Sequence, residues 1–504
     1  MPHWKRRRAG GGGGMPPEAR DDVAKYVAGL YLDDLADAIR EGLDPWFGFA
    51  RYADHLAGAL PEAAPLLRAV ADDTSLIGGM IDALAGEALA RHRPRVVGIT
   101  APFPGTVYGA FRIARQIRRL APAVTLALGG GYVNTELREL DDPRVFDVFD
   151  YVCLDDGEEP LARIAWGEKP SNAFSRRAGK VVFTAPAPAA APAPPGCPDY
   201  AGVAFDAYPA VVESPNPMHR IWSDGAWIKL PLTHGCHWHR CRFCDLALGA
   251  IGRFAQPSAV AVVDTLERLC AETGRTGFHF TDEALPPALL RRMAEEILRR
   301  GLAVSWWGNV RFERAFTPAL AARLAASGCV AVTGGLECAQ GRLLTLMEKG
   351  ITLEGAARAC GAFAGAGILT HAYLMYGFPT QTARETAEAL EFVRQLFAAG
   401  VLQSAYWHRF ALTAHSPLAA EAERFGLVLR EARPPPGRRF ARNEIAFDEP
   451  GAPDHAVLGE GLRRAVYNYM RGVGLDAPVS AWFDIPVPAP RLRKRFVRDA
   501  LAAI

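Results

Sequence analysis

The sequence predicts an α/β protein built from a Rossmann-like doubly wound N-terminal domain, a partial (β/α)6 barrel of the TIM type and a C-terminal cap. Short apolar segments alternate with amphipathic helical segments, first over residues 93–168 and then, more regularly, over residues 226–425. Repeated strand-then-helix order favours a parallel sheet covered by helices. A loop with three cysteines at the end of the first barrel strand, Cys236, Cys241 and Cys244, indicates where the chemistry of the barrel collects.

The first unit contains three strand candidates and one helix, in an order typical of a doubly wound sheet. The strands are predicted at Arg95 to Thr100, Val124 to Leu128 and Tyr151 to Leu154, and the helix at Tyr108 to Leu120. In such sheets, ligands bind outside the carboxyl ends of the strands. The second strand ends there in a glycine-rich turn, made of Gly129, Gly130 and Gly131.

The second unit contains six strand candidates separated by amphipathic helices. The apolar segments are Ala226 to Thr233, Thr276 to Thr281, Leu302 to Trp307, Cys329 to Leu336, Ile368 to Tyr376 and Leu402 to Phe410. Apolar residues at helical spacing predict helices at Pro257 to Ala271, Pro287 to Arg300, Thr317 to Ser327, Leu353 to Ala366 and Thr382 to Ala399. In such barrels the functional residues stand at the carboxyl ends of the strands.

The three cysteines have the spacing C-x4-C-x2-C within residues 236–244. An iron–sulfur cluster is normally held by four cysteine thiolates, so three thiolates leave one iron free to bind a substrate or cosubstrate. The alternative is a structural zinc site, which requires four ligands that typically come from two knuckles. No second C-x2-C or H-x3-H pair follows downstream, but His234, His237 and His239 could complete a Cys3His site.

From Gly235 to Cys244 the loop resembles the radical S-adenosylmethionine (SAM) superfamily, and specifically its members with an N-terminal cobalamin-binding-type domain. The family spacing is usually C-x3-C-x2-C, and this chain has one extra residue in the first gap. The resemblance implies that Cys236, Cys241 and Cys244 ligate a 4Fe-4S cluster whose open iron chelates the amino and carboxylate groups of SAM. It also implies that Phe243 packs near the adenine.

Five residues at strand ends resemble SAM contacts of the family. Asp282 and Glu283 stand where the family often receives the methionine amino group, and Glu337 where a carboxylate commonly binds the ribose hydroxyls. Lys349 resembles the basic residue that meets the SAM carboxylate, and Gly377 belongs to a Gly-aromatic-Pro turn like that of the adenine-side wall. These residue types suit the groups that they would bind. Carboxylates accept hydrogen bonds from the ammonium group and the ribose hydroxyls of SAM, and a lysine donates hydrogen bonds to its carboxylate.

Other polar residues at strand ends could contact SAM or substrate, namely Asn309, Arg311 and His408. His371 lies early in its strand, and we expect it to be a core histidine whose hydrogen bonds are satisfied. The sequence does not identify a catalytic residue.

The glycine-rich turn at residues 129–131 resembles a part of the cobalamin-binding domain that faces the corrin ring and the barrel. The Asp-x-His-x-x-Gly motif that ligates cobalt in many such domains is absent, and cobalamin radical SAM relatives often bind the cofactor without it. The resemblance therefore implies three cofactors, which are a 4Fe-4S cluster, SAM and cobalamin.

The implied function is reductive cleavage of SAM to a 5'-deoxyadenosyl radical, with cobalamin-dependent methyl transfer to an unactivated carbon of a natural product or peptide. SAM would serve both as methyl donor and as radical source. The alternatives are a cobalamin-independent radical rearrangement, cyclisation or oxidation, and a non-catalytic zinc or iron–sulfur protein. The expected partners are a small-molecule or peptide substrate and an electron donor such as flavodoxin or ferredoxin.

Composition excludes some classes of partner without identifying the function. With a formal charge of +2 over 504 residues, the chain gives no reason to expect nucleic acid as an electrostatic partner. It has no run of about 18 apolar residues, so no membrane span is expected. Nine cysteines, three of them in one loop, favour a reducing compartment, and we expect a cytoplasmic enzyme.

The Arg- and Gly-rich start of the chain lacks a following apolar segment, so it is expected to be a disordered leader or a misassigned start rather than a signal peptide. A Pro/Ala stretch further on predicts a stiff extended linker. The predicted organisation is 1–17 leader, 18–92 helical N-terminal region, 93–168 Rossmann-like domain, 169–225 Pro/Ala-rich linker, 226–425 barrel and 426–504 cap.

Overall fold

The computed structural model describes residues 17–49, 60–186, 194–208, 216–223, 227–430 and 434–503. The predicted leader, apart from its last residue, and part of the predicted Pro/Ala-rich linker lie outside these ranges. Among the helices in the described ranges, none is long and apolar enough to cross a membrane.

A helical layer precedes the first sheet. It consists of α1 (Pro17–Gly42), α2 (Ala64–Ala71) and α3 (Leu76–His92). Ser75 caps α3 by accepting a hydrogen bond from the Gly78 N–H. Both α2 and α3 pack against α4 (Val107–Leu120), which follows the first strand of the sheet. α2 and α3 therefore form a layer of the first α/β unit, whereas Tyr26 of α1 lies 3.5 Å from the Tyr467 hydroxyl in the C-terminal region.

The first sheet has five strands in the order of the sequence, β1 (Val96–Thr100), β2 (Thr125–Gly129), β3 (Tyr151–Cys153), β4 (Ala173–Arg177) and β5 (Lys180–Thr184). As predicted, β1, β2 and β3 are parallel, and an antiparallel β4–β5 hairpin extends the β3 edge. This hairpin lies beyond the predicted boundary at 168, in residues assigned to the linker. Neither of its strands is a continuous apolar run, because antiparallel strands often bury only one face.

Helices cover both faces of this sheet, as expected for a doubly wound fold. Two short helices follow β2 and β3, namely α5 (Gly131–Glu136) and α6 (Glu158–Ala165). On one face, Phe111 of α4 and Leu126 of β2 belong to one apolar core. On the other face, Ile164 of α6 shares a smaller core with Ala127. The strand order does not reverse within the described sheet, which distinguishes it from the usual doubly wound order.

The second sheet is parallel throughout, and its six strands follow one another in sequence order, as predicted for a partial (β/α)6 barrel. The strands are β6 (Ile228–Leu230), β7 (Gly277–Phe280), β8 (Ser305–Val310), β9 (Cys329–Glu337), β10 (Leu369–Tyr376) and β11 (Ser404–Arg409). The helices of this unit are α7 (Pro217–Ser223), α8 (Gly249–Gly252), α9 (Ala259–Thr273), α10 (Pro287–Arg300), α11 (Pro318–Ala326), α12 (Gly341–Leu346), α13 (Leu353–Gly365) and α14 (Ala383–Ala398).

Side-chain caps explain where four of the barrel helices begin. Ser258, Thr317, Thr352 and Thr382 each accept a hydrogen bond from the backbone N–H three residues further on, at the starts of α9, α11, α13 and α14. At α14, Glu385 bonds back to the Thr382 N–H and completes a capping box. These starts lie within two residues of the predicted ones.

Alternate residues of a barrel strand face the helices and the barrel interior. In β7, Phe278 and Phe280 are fully buried in the main apolar core of the molecule. His279 lies between them and lines an internal cavity. The strands therefore supply the core with one set of residues and the interior with another.

The chain beyond β11 contains α15 (Pro417–Ala420), β12 (Val428–Leu429), β13 (Phe447–Asp448), α16 (His455–Tyr469) and α17 (Phe496–Leu501). Short 3-10 turns of the molecule lie at Pro104–Thr106, Pro143–Asp147, Phe205–Ala207, Ala422–Phe425 and Val479–Trp482. Phe440 is buried in the core of the first unit beside Phe111, and its N–H donates to the Pro61 carbonyl (2.8 Å). The C-terminal region therefore also joins the two units, which the sequence did not predict.

Candidate active site

The cysteine loop starts where β6 ends and is held by backbone hydrogen bonds to the segment before α9. His234 pairs with Ala255 in both directions (N···O 2.9 and 3.1 Å), and the Cys236 N–H donates to another carbonyl of this segment (3.3 Å). Gly235 has a φ of +70°, and a Cβ there would lie 1.9 Å from the Arg253 carbonyl oxygen. This steric limit explains the glycine before the first cysteine.

The cysteines of the loop differ in burial and in acidity. Cys241 is buried, whereas Cys236 and Cys244 are half-buried. A hydrogen bond with Cys244 lowers the pKa of Cys241 below the ordinary thiol value, against the cost of burial and with help from the charges of Lys349 and Arg311. The same hydrogen bond, together with burial, raises the pKa of the Cys244 thiol. The loop thus favours a thiolate, the form in which cysteine binds metal.

The histidines that could complete a zinc site contact other groups. His234 Nε2 lies 3.2 Å from Asp156, His237 Nε2 lies 3.1 Å from Glu313, and His239 Nδ1 lies 3.0 Å from a backbone carbonyl. Within the described ranges, no three His, Cys, Asp or Glu side chains surround one point as a single metal ion requires. A 4Fe-4S cluster binds its cysteines through different irons, so it does not need that convergence.

Asp282 and Glu283 follow β7 and have different surroundings. Asp282 is buried and accepts hydrogen bonds from the Leu232 N–H (2.9 Å), the Thr233 N–H (2.6 Å) and the Thr233 hydroxyl (2.6 Å). It fixes the chain that leads from β6 into the cysteine loop. The side chain of Glu283 is accessible to solvent. The pKa of its carboxyl group is nevertheless raised, mainly because the surrounding protein removes part of its hydration and also because the negative charge of Asp282 is close. Glu283 is therefore the more accessible of the two carboxylates.

Glu337 and Lys349 form a buried ion pair, with Lys349 Nζ 2.7 Å from Glu337 Oε1. Their residues are only 9% and 8% exposed. Burial opposes the charge of Lys349, but Glu337 and Cys241 together raise the pKa of its ammonium group. Glu337 also has a φ of +51°, a conformation that residues other than glycine rarely adopt. The structure thus brings together two residues predicted to bind opposite ends of SAM.

Of the two residues expected near the adenine, Phe243 borders this region and Gly377 follows β10, the strand that pairs with the Glu337 strand β9. Lys349 Nζ lies 5.8 Å from the ring centroid of Phe243. Gly377 closes β10, and its N–H donates to Gln381 Oε1 (2.7 Å). The ring of His455 packs against Gly377, and neither ring nitrogen has a hydrogen-bond partner among the described residues. Sequence reasoning missed His455, because nothing marks one histidine in the C-terminal cap as a neighbour of β10.

Three further strand-end residues occupy different places. Asn309 Nδ2 donates to the Asp282 carbonyl (2.8 Å), so it supports the end of β7. The Arg311 guanidinium lies 4.5 Å from the Trp238 ring centroid and joins the cysteine loop to β8. His408 lines the cavity inside the barrel. Asn309 and Arg311 therefore hold the framework of the site.

His371 also lines the barrel cavity. It is buried, and its Nδ1 lies 2.7 Å from Ser404 Oγ. Its Nε2 has no hydrogen-bond partner in the described part of the chain. The prediction of a fully satisfied core histidine is therefore wrong for one of its two nitrogens, because the inward-facing residues of β10 border an open space.

The glycine-rich turn at residues 129–131 lies at the carboxyl end of β2, as predicted. Gly130 has a φ of +106°, and a Cβ there would lie 2.8 Å from the Ala101 carbonyl oxygen. The same edge of the sheet contacts the cysteine loop, because Asp156 beyond β3 lies 3.2 Å from His234. The carboxyl ends of the parallel strands of both sheets therefore meet at the cysteine loop.

Glu136 lies at this junction and predicts a pH dependence of stability. Burial, and then the charges of Asp245 and Glu444, raise the pKa of Glu136 to about 7, although Asn443 donates a hydrogen bond to its carboxylate (3.1 Å). A raised pKa means that the folded protein binds this proton more tightly than the unfolded chain does. The stability gained from that proton is present below the ordinary glutamate pKa of 4.5 and is lost as pH rises through about 7.

We expect Glu136→Gln to flatten this dependence, because the amide has no proton to lose. The measurement is the free energy of unfolding by urea at about pH 5 and about pH 7.5, where the wild type should lose stability and the variant should lose less. Glu87→Gln, on the outer helix α3, serves as the matched control and should follow the wild type. Identical slopes for wild type and Glu136→Gln would contradict the prediction.

Comparison with known proteins identifies one domain of this chain. Residues 230–393 match the family model of the radical SAM superfamily. This match covers the last residue of β6, the cysteine loop and β7 to β10 together with the helices between them. An uncharacterized methyltransferase of Pyrococcus horikoshii is 25% identical over 342 residues, which cover 64% of this chain and 70% of the relative.

Two solved enzymes share the fold of both units. The radical SAM methyltransferase TsrM from Kitasatospora setae, solved with tryptophan substrate and a SAM analogue, has a TM-score of 0.55 at 19% identity, covering 77% of this chain and 80% of TsrM. The cobalamin-dependent SAM radical enzyme OxsB, solved with aqua-cobalamin and SAM, has a TM-score of 0.51 at 14% identity, covering 76% of this chain and 59% of OxsB. At this identity the likeness concerns the fold alone, and it confirms the predicted fold class.

Proposed function

From the radical SAM domain that this chain carries, we propose that the protein is an enzyme that methylates a carbon atom of a small molecule or peptide with the help of cobalamin. One observation carries the proposal, namely that the carboxyl ends of both sheets meet at the cysteine loop. The barrel side presents the three cysteines and the pair of Glu337 and Lys349. The other side presents the glycine turn at residues 129–131, which packs closely against the backbone of Ala101 and Pro102 at the end of β1.

Cys236, Cys241 and Cys244 would hold a 4Fe-4S cluster through three of its irons. When bound, the cluster supplies the electron for reductive cleavage of SAM to methionine and a 5'-deoxyadenosyl radical. Trp238 supports the loop between these cysteines, because its Nε1–H donates to the Glu348 carbonyl (2.8 Å) and its ring lies under Arg311. The loop is therefore fixed from both sides, as precise positioning of a reactive centre requires.

Three charged side chains would orient SAM. Glu337 would accept hydrogen bonds from the ribose hydroxyls, Lys349 would bind the carboxylate, and Glu283 would bind the amino group. The burial of the Glu337–Lys349 pair supports these roles, because charge-assisted hydrogen bonds are stronger where water is excluded. Asp282 would support SAM binding indirectly, by holding the backbone between β6 and the cysteine loop in place.

Cobalamin, when bound, would supply the methyl carrier between SAM and the substrate. The similarity to a methyltransferase of Pyrococcus horikoshii supports a methyl-transfer reaction. The shared fold with TsrM and OxsB, both solved with cobalamin, supports a corrinoid between the two units. An electron donor such as flavodoxin or ferredoxin and a cytoplasmic location belong to the same proposal, because the cluster must be reduced before each cleavage of SAM.

The test is corrinoid retention. The full-length protein is purified anaerobically, supplied with hydroxocobalamin and separated from free cofactor, and the bound corrinoid is measured by absorbance. We expect close to one corrinoid per chain. Gly157→Trp should lose most of it, because Gly157 follows β3 at the junction and has open space around its Cα, so an indole there obstructs the junction without disturbing the fold.

Gly79→Trp is the matched control, since Gly79 also has open space around it but lies on α3, away from the strand ends. This variant should retain corrinoid as the wild type does. A wild-type protein that retains no corrinoid while it cleaves SAM would reject cobalamin-dependent methylation. The function would then be a cobalamin-independent radical reaction.

A further inference from the structure

The barrel contains a cavity of about 670 Å³ below the strand ends that carry the cysteine loop, and this cavity is open to solvent where the exposed Tyr208 and Tyr406 line it. Inward-facing residues of β6, β7, β8, β10 and β11 line it, and α7 contributes Trp222. Small-molecule sites commonly enclose roughly 300 to 1,000 Å³. The size of the cavity therefore suits a compact molecule held inside the barrel.

Aromatic rings form most of the cavity wall. His279 stacks on Trp307 with ring centroids 3.6 Å apart and planes 5° apart. His371 meets Trp222 edge to face at 4.3 Å, and Tyr373 lies 4.8 Å from His371. Such walls offer both ring faces and ring edges, which are the two surfaces that a flat aromatic ligand packs against.

The charge of the cavity is carried by one side chain. Burial lowers the pKa of His279 to about 4, with a contribution from Lys229, and burial also lowers the pKa values of His371 and His408. These imidazoles are therefore neutral near pH 7. Lys229 is a solvent-exposed residue that lines the cavity, no acidic residue lines it, and within the described ranges no carboxylate lies within 4 Å of the Lys229 ammonium. The cavity thus presents an unpaired cation among neutral rings.

Two buried polar atoms of the cavity wall form no hydrogen bond within the described part of the chain. Trp307 is 5% exposed and His371 is 1% exposed. Trp307 Nε1 and His371 Nε2 have no hydrogen-bond partner in the described part of the chain. Buried polar atoms are nearly always hydrogen-bonded in folded proteins, so these two indicate a ligand with polar atoms on its ring.

We propose that this cavity is the substrate site and that its substrate is a planar aromatic carboxylate, with the ring held among the aromatic side chains and the carboxylate held by Lys229. The inference rests on the proposed function, because it supplies the molecule that the reaction modifies. The cavity reaches toward the proposed SAM site along β10, because Leu374 pairs with Glu337 and the next residue, Met375, pairs with His408 of the cavity wall. A ring bound beside His408 therefore lies near the strand ends that carry Glu337.

The test is isothermal titration calorimetry of the anaerobically purified full-length protein with three probes of similar size. Indole-3-acetate has both features, 3-methylindole lacks the carboxylate, and cyclohexylacetate lacks the aromatic ring. We expect indole-3-acetate to bind at least about tenfold more tightly than either of the others. Lys229→Met should remove the preference for indole-3-acetate over 3-methylindole, and Trp307→Phe should weaken binding of both indoles.

Lys180→Met is the matched control, because Lys180 is an exposed strand lysine of the first unit, and its probe affinities should equal those of the wild type. Equal affinity for all three probes, or an unchanged preference in Lys229→Met, would overturn the inference. Formation of 5'-deoxyadenosine is measured on the same samples. SAM cleavage without binding of indole-3-acetate would overturn the substrate class alone, whereas the expected binding without SAM cleavage would support the site and contradict the proposed function.

Discussion

Replacing any one of Cys236, Cys241 and Cys244 by alanine is expected to leave the purified protein without an intact 4Fe-4S cluster. Two thiolates remain in each variant, and the three histidines beside the loop that the structure describes, His234, His237 and His239, already contact other groups. The measurement is iron and acid-labile sulfide per chain after anaerobic reconstitution, together with the paramagnetic signal of the reduced cluster.

Cys270→Ala is the control for general effects of losing a thiol. Cys270 is half-buried on α9, outside the cysteine loop, so this variant should bind iron and sulfide as the wild type does. If all three loop variants kept a full cluster, the assignment of the ligands would be wrong. Zinc without labile sulfide in the wild type would instead point to the non-catalytic metal protein.

Lys349→Met is expected to destabilise the protein by about 3 to 5 kcal/mol, because it leaves the Glu337 carboxylate buried without its cation. The measurement is the free energy of unfolding in urea. In the double variant Glu337→Gln/Lys349→Met, no charge remains in the pair, so most of this stability should return. A single variant as stable as the wild type would mean that Glu337 finds another partner or reaches water.

The same variants separate the stability of the pair from its proposed role in binding SAM. Glu337→Gln keeps the shape of the side chain, and loss of a charge-assisted hydrogen bond should weaken SAM binding roughly ten- to a hundredfold. The double variant should recover stability but not SAM affinity. Asp282→Asn is the comparison, because Asp282 holds the backbone between β6 and the cysteine loop and we propose that it does not bind SAM directly, so this variant should affect stability first. Unaltered SAM affinity in Glu337→Gln would remove Glu337 from the proposed site.

Local patterns in the sequence predicted the barrel well. Each of the six strands overlaps its predicted segment, and the caps Ser258, Thr317, Thr352 and Thr382 lie where the helices were expected to begin. Apolar periodicity and capping act within a few residues of the chain, so one sequence contains the information. The β4–β5 hairpin was not predicted, because its strands are short and contain both polar and apolar residues.

The site was only partly accessible to sequence reasoning. The resemblance to the radical SAM superfamily implied that Glu337 and Lys349 belong to the same site as the cysteine loop, and Lys349 does help to lower the pKa of Cys241. The residue roles toward SAM and cobalamin remain predictions. Asp282 illustrates the limit, because the sequence placed its carboxylate at a strand end but could not show that it already accepts three hydrogen bonds from Leu232 and Thr233.

The sequence by itself determined the barrel, the cysteine loop and the order of the two units, because strand periodicity, helix capping and metal-ligand spacing are local properties of the chain. Only the tertiary structure decided which distant residues meet. It placed His455 of the cap against Gly377, Phe440 in the core of the first unit, and Lys229 among the aromatic rings of the barrel cavity. These contacts join segments far apart in sequence, so they depend on the packing of the whole chain, which no local pattern records.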